Sequence, residues 1–144
     1  MLDRLIELNA DYAAAIDDNR LEDWPDFFTE DGFYRVTSAQ NHARGLEAGL
    51  IYADSRQMLR DRVLSLRKAN VFESQGYRHL LGLPRIRGRD GDRARVETGF
   101  AVLRIVRGGA TDIFASGRYL DEVVQQPDGP LGLEQRDVVC DSTR

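Results

Sequence analysis

Residues 52–86, YADSRQMLRDRVLSLRKANVFESQGYRHLLGLPRI, join a helix pattern to a strand pattern and so indicate the fold class. Asp54 is placed to cap the helix, and Gln57 follows three residues later as its partner in a capping box. Apolar residues then recur at helical spacing, opposite a face rich in arginine: Met58, Leu59, Val63 and Leu66. The stretch therefore predicts a helix over about 55–69 and a strand over about 78–87.

The residues before this stretch predict two helices and a strand. One face of the first helix carries mostly apolar residues: Leu2, Leu5, Ile6, Asn9, Tyr12, Ala13 and Ile16. Residues 29–32 end a short second helix, whose marker residues are mainly aromatic: Leu21, Trp24, Phe27 and Phe28. Residues 33–38 alternate as a strand does, and residues 39–50 form a connection to the next helix.

The rest of the chain predicts strands. After the strand over about 78–87, three more are indicated over about 93–107, 111–125 and 131–140. The turn signals between them are short: Gly88-Arg89-Asp90-Gly91, Gly108-Gly109 and Pro127-Asp128-Gly129. Short turns force neighbouring strands to run antiparallel. We therefore expect an α+β fold in which a curved antiparallel sheet wraps around N-terminal helices to form a cone, as a single domain over residues 1–144.

Composition narrows the function classes. The chain has 144 residues, of which 42% are hydrophobic and 31% charged, and no apolar run approaches the length of a membrane span. A net charge of -4 argues against nonspecific binding of nucleic acid. The amphipathic, acidic N-terminus is unlike a signal peptide, so we expect a cytoplasmic location. Lys68 is the only lysine, and the many arginines suit protein interfaces, although arginine-favouring codon use explains the same bias.

The sequence offers few ligands for a redox centre. A Rieske cluster takes two Cys and two His ligands, whereas the sequence holds one cysteine, Cys140, and two histidines, His42 and His79. A facial triad could formally use both histidines and an acid, but they lie 37 residues apart in dissimilar contexts. Cys140 follows two valines, which favours a buried, inert thiol. We expect no metal site and no catalytic residue in this chain.

Six short segments carry a resemblance to a known family: Trp24-Pro25-Asp26-Phe27-Phe28, Asp31-Gly32-Phe33-Tyr34-Arg35-Val36, Tyr52-Ala53-Asp54, Met58-Leu59-Arg60-Asp61-Arg62, Arg78-His79-Leu80 and Phe114-Ala115-Ser116-Gly117-Arg118-Tyr119. Together they resemble the small (beta) subunits of aromatic-ring-hydroxylating dioxygenases over nearly the whole chain. Within this family, three segments are similar to small subunits of enzymes that oxidise aromatic carboxylates: residues 78–84, 102–105 and 139–142. The nearer likeness is to terephthalate dioxygenases, and the second is to salicylate hydroxylases.

The resemblance implies a fold, partners and a division of labour. The fold would be the cone of nuclear transport factor 2 and scytalone dehydratase. The chain would be a non-catalytic assembly subunit that binds no cofactor, forms a trimer with its own copies and joins a large (alpha) subunit in an α3β3 hexamer. The large subunit would hold the Rieske [2Fe-2S] cluster and the mononuclear Fe(II) that cis-dihydroxylate the ring with O2. A reductase would supply electrons from NAD(P)H.

Two sets of residues are candidates for function. Arginine concentrates at the centres of protein contacts. We therefore expect the subunit interfaces to include Arg56, Arg62, Arg67, Arg78, His79, Arg118 and Arg136. Some of these arginines are expected in intrachain ion pairs, with Asp61 as the partner of Arg78 or of another strand arginine. The alternative is a freestanding cone-fold isomerase or dehydratase with an acid–base pocket. Its candidate pocket residues are Tyr34, Asp54, His79 and Tyr119. Helix capping and packing explain the same residues without catalysis.

Overall fold

In the computed structural model, the described residues are 1–44, 51–69, 75–127 and 129–142. The helices are α1 (Leu2–Asp17), a 3₁₀ helix (Leu21–Phe27), α2 (Ala39–Ala43) and α3 (Arg56–Ala69). The strands are β1 (Phe28–Ser38), β2 (Ile51–Ala53), β3 (Gln75–Leu81), β4 (Arg85–Asp90), β5 (Arg93–Val106), β6 (Thr111–Gln125) and β7 (Leu131–Cys140). Residues 45–50 of the predicted connection and Asp128 of the third predicted turn lie outside the described residues.

The first helix forms as predicted, and the second differs. α1 buries Leu5, Asn9 and Tyr12 of the predicted face, whereas Leu2 and Ile6 of that face are exposed. The second helix is 3₁₀ and ends one residue earlier than expected, because the backbone of Phe28 is extended and begins β1. The predicted stop over residues 29–32 is therefore an irregularity within the strand, where the pairing of β1 with β7 shifts register.

The cap of α3 is one residue away from the predicted position. Ser55 Oγ accepts the backbone N–H of Met58 at 3.1 Å, whereas Asp54 is exposed and precedes the cap. Gln57 donates to Asp61 Oδ1 at 3.1 Å instead of completing a capping box. The predicted Asp54–Gln57 box is thus wrong, because the serine hydroxyl occupies the capping position.

The seven strands form one mixed sheet in the order β2-β1-β7-β6-β5-β3, and β4 also pairs with β5. The predicted antiparallel meander is confirmed for β5, β6 and β7. β1 pairs with β7 in parallel, which the local turn signals did not indicate. The predicted strand over 78–87 is two strands that both pair with β5. Pro84 lies between them and offers no backbone N–H to the sheet, although Gly82 still donates to Gly99 O at 2.8 Å.

The inner face of the sheet wraps around the helices and encloses the core. One hydrophobic cluster joins α1, the 3₁₀ helix and α3 to the sheet through Leu5, Trp24, Phe28 and Leu59. A second cluster lies further along β5, β6 and β7, around Phe100. This arrangement confirms the predicted α+β cone. No helix in the described part of the chain is long and apolar enough to cross a membrane.

Candidate functional site

The interior of the cone contains a buried ion pair. Arg136 on β7 has no exposed surface and donates to both carboxylate oxygens of Asp121 on β6, at 2.9 and 2.8 Å. A third bond runs from Arg136 Nη2 to Asn9 Oδ1 on α1, at 2.7 Å. The guanidinium carbon also lies 4.4 Å from the ring centroid of Tyr12 and 4.1 Å from that of Tyr119. One side chain thus ties α1 to two strands of the sheet.

Electrostatics keep Arg136 charged. Burial by itself lowers the pKa of Arg136, but the adjacent Asp121 carboxylate and its hydrogen bonds outweigh burial, so the arginine pKa is raised. Asn9 also offers its amide nitrogen to Thr98 Oγ1 at 3.3 Å, which links the pair to β5. Arg136 Nη1 has no hydrogen-bond partner among the described residues. Its Nε and Nη2 atoms donate to Asp121 and Asn9, and these bonds hold the guanidinium in a fixed position.

Aromatic rings fill the space around the ion pair. Tyr119 stacks on Phe100 with a centroid distance of 4.8 Å, and Tyr34 packs edge-on against Trp24 at 5.1 Å. Burial raises the pKa of Tyr119 and raises that of Tyr34 well above its usual value. Both hydroxyls therefore stay protonated at neutral pH, and neither can act as a base there.

A second polar feature lies at the edge of the cone. The carboxylate of Asp17, at the end of α1, accepts the backbone N–H of His79 at 2.8 Å and lies 2.6 Å from His79 Nδ1. A carboxylate oxygen can only accept, so His79 Nδ1 is the donor in this contact. Nε2 has no partner in the described part of the structure. The contact also occupies a backbone donor that β3, as an edge strand, would otherwise leave open.

A groove of about 370 Å³ runs beside this pair, between α1 and the residues that join β3 to β4. Its helix side contains small residues, Ala10, Ala13 and Ala14, and its other side includes Arg78 and Leu83. The groove is lined by neither Tyr34 nor Tyr119. The histidine and the two tyrosines of the predicted pocket therefore do not share this groove.

The comparisons with known proteins give the family. Residues 3–131 match the SnoaL-like domain. The chain is 50% identical over 140 residues to subunit beta 1 of the terminal oxygenase component of terephthalate 1,2-dioxygenase from Comamonas sp., which covers 97% of this chain and 90% of that protein. This chain belongs to the small subunits of aromatic-ring-hydroxylating dioxygenases. The small subunit is also 38% identical over 134 residues to the anthranilate 1,2-dioxygenase small subunit from Burkholderia cepacia, covering 92% and 82% of the two chains.

A solved structure supports the same assignment. A beta subunit assigned to an aromatic-ring-hydroxylating dioxygenase of Novosphingobium aromaticivorans superposes on this small subunit with a TM-score of 0.92 at 36% identity. The match covers 99% of this chain and 90% of that chain. The predicted family and the predicted fold are both confirmed.

Three of the predicted interface arginines lie on or near α3. Arg56 donates from Nε and Nη2 to Phe28 O, at 3.1 and 2.6 Å. Arg67 forms two bonds to Glu22, of 2.8 and 2.7 Å, and so ties α3 to the 3₁₀ helix. Arg62 is half-buried, and the described residues offer it no polar partner. Arg67 thus forms an intrachain ion pair, as expected for part of the set, whereas Arg56 bonds a backbone carbonyl.

The other predicted interface residues differ in exposure. Arg78 is exposed, and none of the described side chains pairs with it; Asp61 binds Gln57 instead. Arg118 is exposed and lies 3.7 Å from Glu97. Arg136 is the clear correction, because it is fully buried in the cone and cannot meet a partner at the protein surface. His79 is half-buried and held by Asp17.

The alternative pocket does not converge on one point. Tyr34 and Tyr119 belong to the packed interior, and His79 lies beside Asp17 at the edge groove. Asp54 is exposed between β2 and α3. The structure thus gives the four residues no shared cavity among the clefts described here.

The donor set does not fit an iron centre. His79 Nδ1 is committed to Asp17, and His42 lies in α2. Cys140 is half-buried, and burial, with a smaller effect of Asp141, raises the pKa of its thiol. Within residues 1–44, 51–69, 75–127 and 129–142, no group of three His, Cys, Asp or Glu side chains is placed to hold a metal. With a single cysteine, the chain cannot supply the ligands of a Rieske cluster.

Sequence reasoning missed three members of these networks: Asn9, Asp17 and Asp121. Asn9 lies on the apolar face of the first helix, and a polar residue in such a stripe is a signal for a buried hydrogen bond. Asp121 alternates with Tyr119 and Val123, which points its side chain to the inner face of β6. Asp17 carries no comparable signal, because its partner is distant in sequence.

Proposed function

We infer that this chain is the non-catalytic small subunit of the terminal oxygenase component of a dioxygenase that cis-dihydroxylates an aromatic carboxylate. The proposed substrate is terephthalate, and salicylate is the second candidate. The separate large subunit holds the Rieske [2Fe-2S] cluster and the mononuclear Fe(II), and a reductase supplies electrons from NAD(P)H. Three small and three large subunits form an α3β3 hexamer in the cytoplasm, with the small subunits as a trimer.

The observation that carries this proposal is the sequence identity to the Comamonas beta subunit across nearly the whole chain. At that level of identity, the surfaces that contact partners can be retained as well as the fold. The terephthalate assignment rests on the same relative and on the similar residues 78–84, 102–105 and 139–142.

The interior of the cone supports a structural role. In a cone-fold enzyme, the interior would hold a pocket with a titratable base. In this chain, the Arg136–Asp121 pair and stacked aromatic rings fill the interior of the cone. The tyrosine hydroxyls there remain neutral. Such an interior stabilises a rigid body, which suits a subunit that holds others in register.

Co-purification tests the proposal. The partner is recognisable as a chain with Cys-x-His and Cys-x-x-His motifs, the ligand set of a Rieske cluster. The small subunit purified alone should be colourless, free of iron and inactive toward terephthalate. Co-expressed with the large subunit, it should give a red-brown complex with Rieske absorption and the mass of six chains. Stoichiometric iron in the isolated small subunit, or turnover by it alone, would contradict the proposal.

A further inference from the structure

The charge of this chain is unevenly distributed. Residues 1–31, which include α1 and the 3₁₀ helix, contain ten acidic side chains and two arginines. Residues 75–89, which include β3 and most of β4, contain four arginines and no acidic residue. The two segments therefore carry strong opposite charge in a chain whose net charge is only -4. Complementary potentials of this kind steer and orient protein association.

The basic segment is an exposed sheet edge, which we call the basic edge (residues 78–89). Arg78, Arg85 and Arg89 are exposed, and none of them forms an ion pair with the described residues. Large apolar side chains lie between the arginines with substantial exposed fractions: Leu80 at 53%, Leu83 at 73% and Ile86 at 38%. Exposed leucines and unpaired arginines on an edge strand are typical of a contact surface.

The acidic segment contains a cleft of about 290 Å³, which we call the acidic cleft, between α1, the 3₁₀ helix and the residues that join β6 to β7. Glu7, Asp11 and Asp26 line it together with one cation, Arg4. Asp26 is paired with Arg60 at 3.3 Å, so the unpaired acids of the cleft are Glu7 and Asp11. Glu7 and Asp11 are exposed, four residues apart, and have no ion-pair partner in the described structure. Like charges at this spacing destabilise a helix, and a cationic partner in the cleft would relieve that repulsion.

The two surfaces lie on different sides of α1. Ala10, Ala13 and Asp17 face the groove beside β3, whereas Glu7 and Asp11 face the cleft near the β6–β7 connection. One copy therefore cannot bring its own basic edge into its own acidic cleft. Two different, complementary surfaces on one chain are what a head-to-tail contact between copies requires, and such contacts form a ring when the rotation between copies closes.

We propose that copies of this small subunit associate head to tail, with the basic edge of one copy seated on the acidic cleft of the next. The inference rests on the proposed trimer of small subunits and assigns its two surfaces. The arginines of the edge pair with Glu7 and Asp11 of the neighbouring copy, and Leu80, Leu83 and Ile86 pack at the centre of the contact. The second copy is the occupant because both the acidic and the basic partner are present on this chain.

Charge reversal tests the assignment in the complex with the large subunit. Arg78→Glu with Arg85→Glu should weaken association between small subunits at least about 100-fold, because like charges then face each other. Sedimentation should show the hexamer replaced by a species with one small and one large chain. Glu7→Arg with Asp11→Arg should do the same. All four substitutions together should restore the hexamer, since each contact again joins opposite charges.

Matched controls separate this effect from a general change of charge. Arg44 and Arg107 are exposed arginines outside the basic edge, and Glu30 and Asp31 are exposed acids outside the cleft. Arg44→Glu with Arg107→Glu, and Glu30→Arg with Asp31→Arg, should leave the hexamer intact. Circular dichroism of each variant should match that of the unaltered chain, because all these residues are on the surface.

Three results would overturn the inference. The first is a hexamer that persists in both double variants. The second is loss of the large subunit from the complex while small subunits stay together, which would assign the surface to the large subunit. The third is failure of the four-residue variant to reassemble. A wild-type complex that is not a hexamer would instead count against the proposed stoichiometry, so the two proposals fail in distinguishable ways.

Discussion

Replacing Arg136 with methionine removes the cation at the centre of the cone and leaves the Asp121 carboxylate buried without its partner. Breaking a buried ion pair from one side costs about 3–5 kcal/mol. A domain of ordinary stability unfolds with about 5–15 kcal/mol, so the variant loses a large share of its free energy of unfolding. With a urea dependence of about 2 kcal/mol per molar, the unfolding midpoint should fall by about 2 M.

Trp24 reports this unfolding directly, because its indole is buried in the core and its fluorescence changes on exposure to solvent. Asp121→Leu combined with Arg136→Met should recover most of the loss, since the pair is then replaced by apolar side chains. The two single losses would therefore be strongly non-additive. A loss below about 1 kcal/mol for Arg136→Met, or additive losses in the double variant, would refute the reasoning.

The pH dependence gives an independent check. Burial already raises the pKa of Asp121 above its usual 3.8, and Arg136 opposes that shift, so removing Arg136 raises the pKa further. The folded variant then favours the protonated acid, and its deficit should shrink as pH falls from 8 to 5 and grow again as pH rises. Asp121→Asn leaves Arg136 charged throughout this range, so its deficit should not change. A constant deficit in both variants would contradict this assignment.

Three further changes can be measured on the isolated chain. Gly117→Ala should lower the free energy of unfolding in urea by about 2–3 kcal/mol, because the new methyl group would meet Val139 O and lie 2.9 Å from Cys140 Cα. As a control, Gly99→Ala should be tolerated, since its nearest contact is at 4.0 Å. Glu22 should titrate by carboxyl NMR with a pKa of about 2, lowered from 4.5 first by its hydrogen bond to Arg67 and then by a backbone hydrogen bond. The contact with Arg67 is therefore complete above pH 4.5 and is lost as pH falls through about 2. Arg67→Ala should raise the pKa of Glu22 back toward 4.5, and an unchanged pKa would contradict Arg67 as the main cause. Iodoacetamide should alkylate Cys140 more slowly at pH 8 than it alkylates a free cysteine, because the raised thiol pKa leaves less thiolate, and an equal rate would contradict burial as the cause.

Local patterns predict the helices and strands well where the deciding interactions join residues that are close in sequence. The 3.6-residue period of α1 and the glycine turns between the late strands are examples. The cap of α3 was misassigned because Asp54 and Ser55 are adjacent and both can cap. The parallel pairing of β1 with β7 was missed because it joins segments separated by about a hundred residues, for which no local signal exists.

The candidate sites show the same limit. Arg136 sits between Gln135 and Asp137, and a polar run of this kind indicates an exposed strand when only its neighbours are considered. Its partners are Asp121, on the preceding strand, and Asn9, on the first helix. Arg78 is predicted as an interface residue from its type alone, and its exposure on edge strand β3 comes from the tertiary structure.

The sequence by itself determined the family, the α+β class and the exclusion of a Rieske centre, because segment resemblance, hydrophobic period and ligand counts are properties of the chain alone. The tertiary structure alone decided which charged residues are structural and which are free to meet a partner. Burial and pairing depend on contacts between residues distant in sequence. Arginine therefore has two roles in this chain: Arg136 is buried and links α1 to the sheet, whereas Arg78 is exposed and available for contact with a partner.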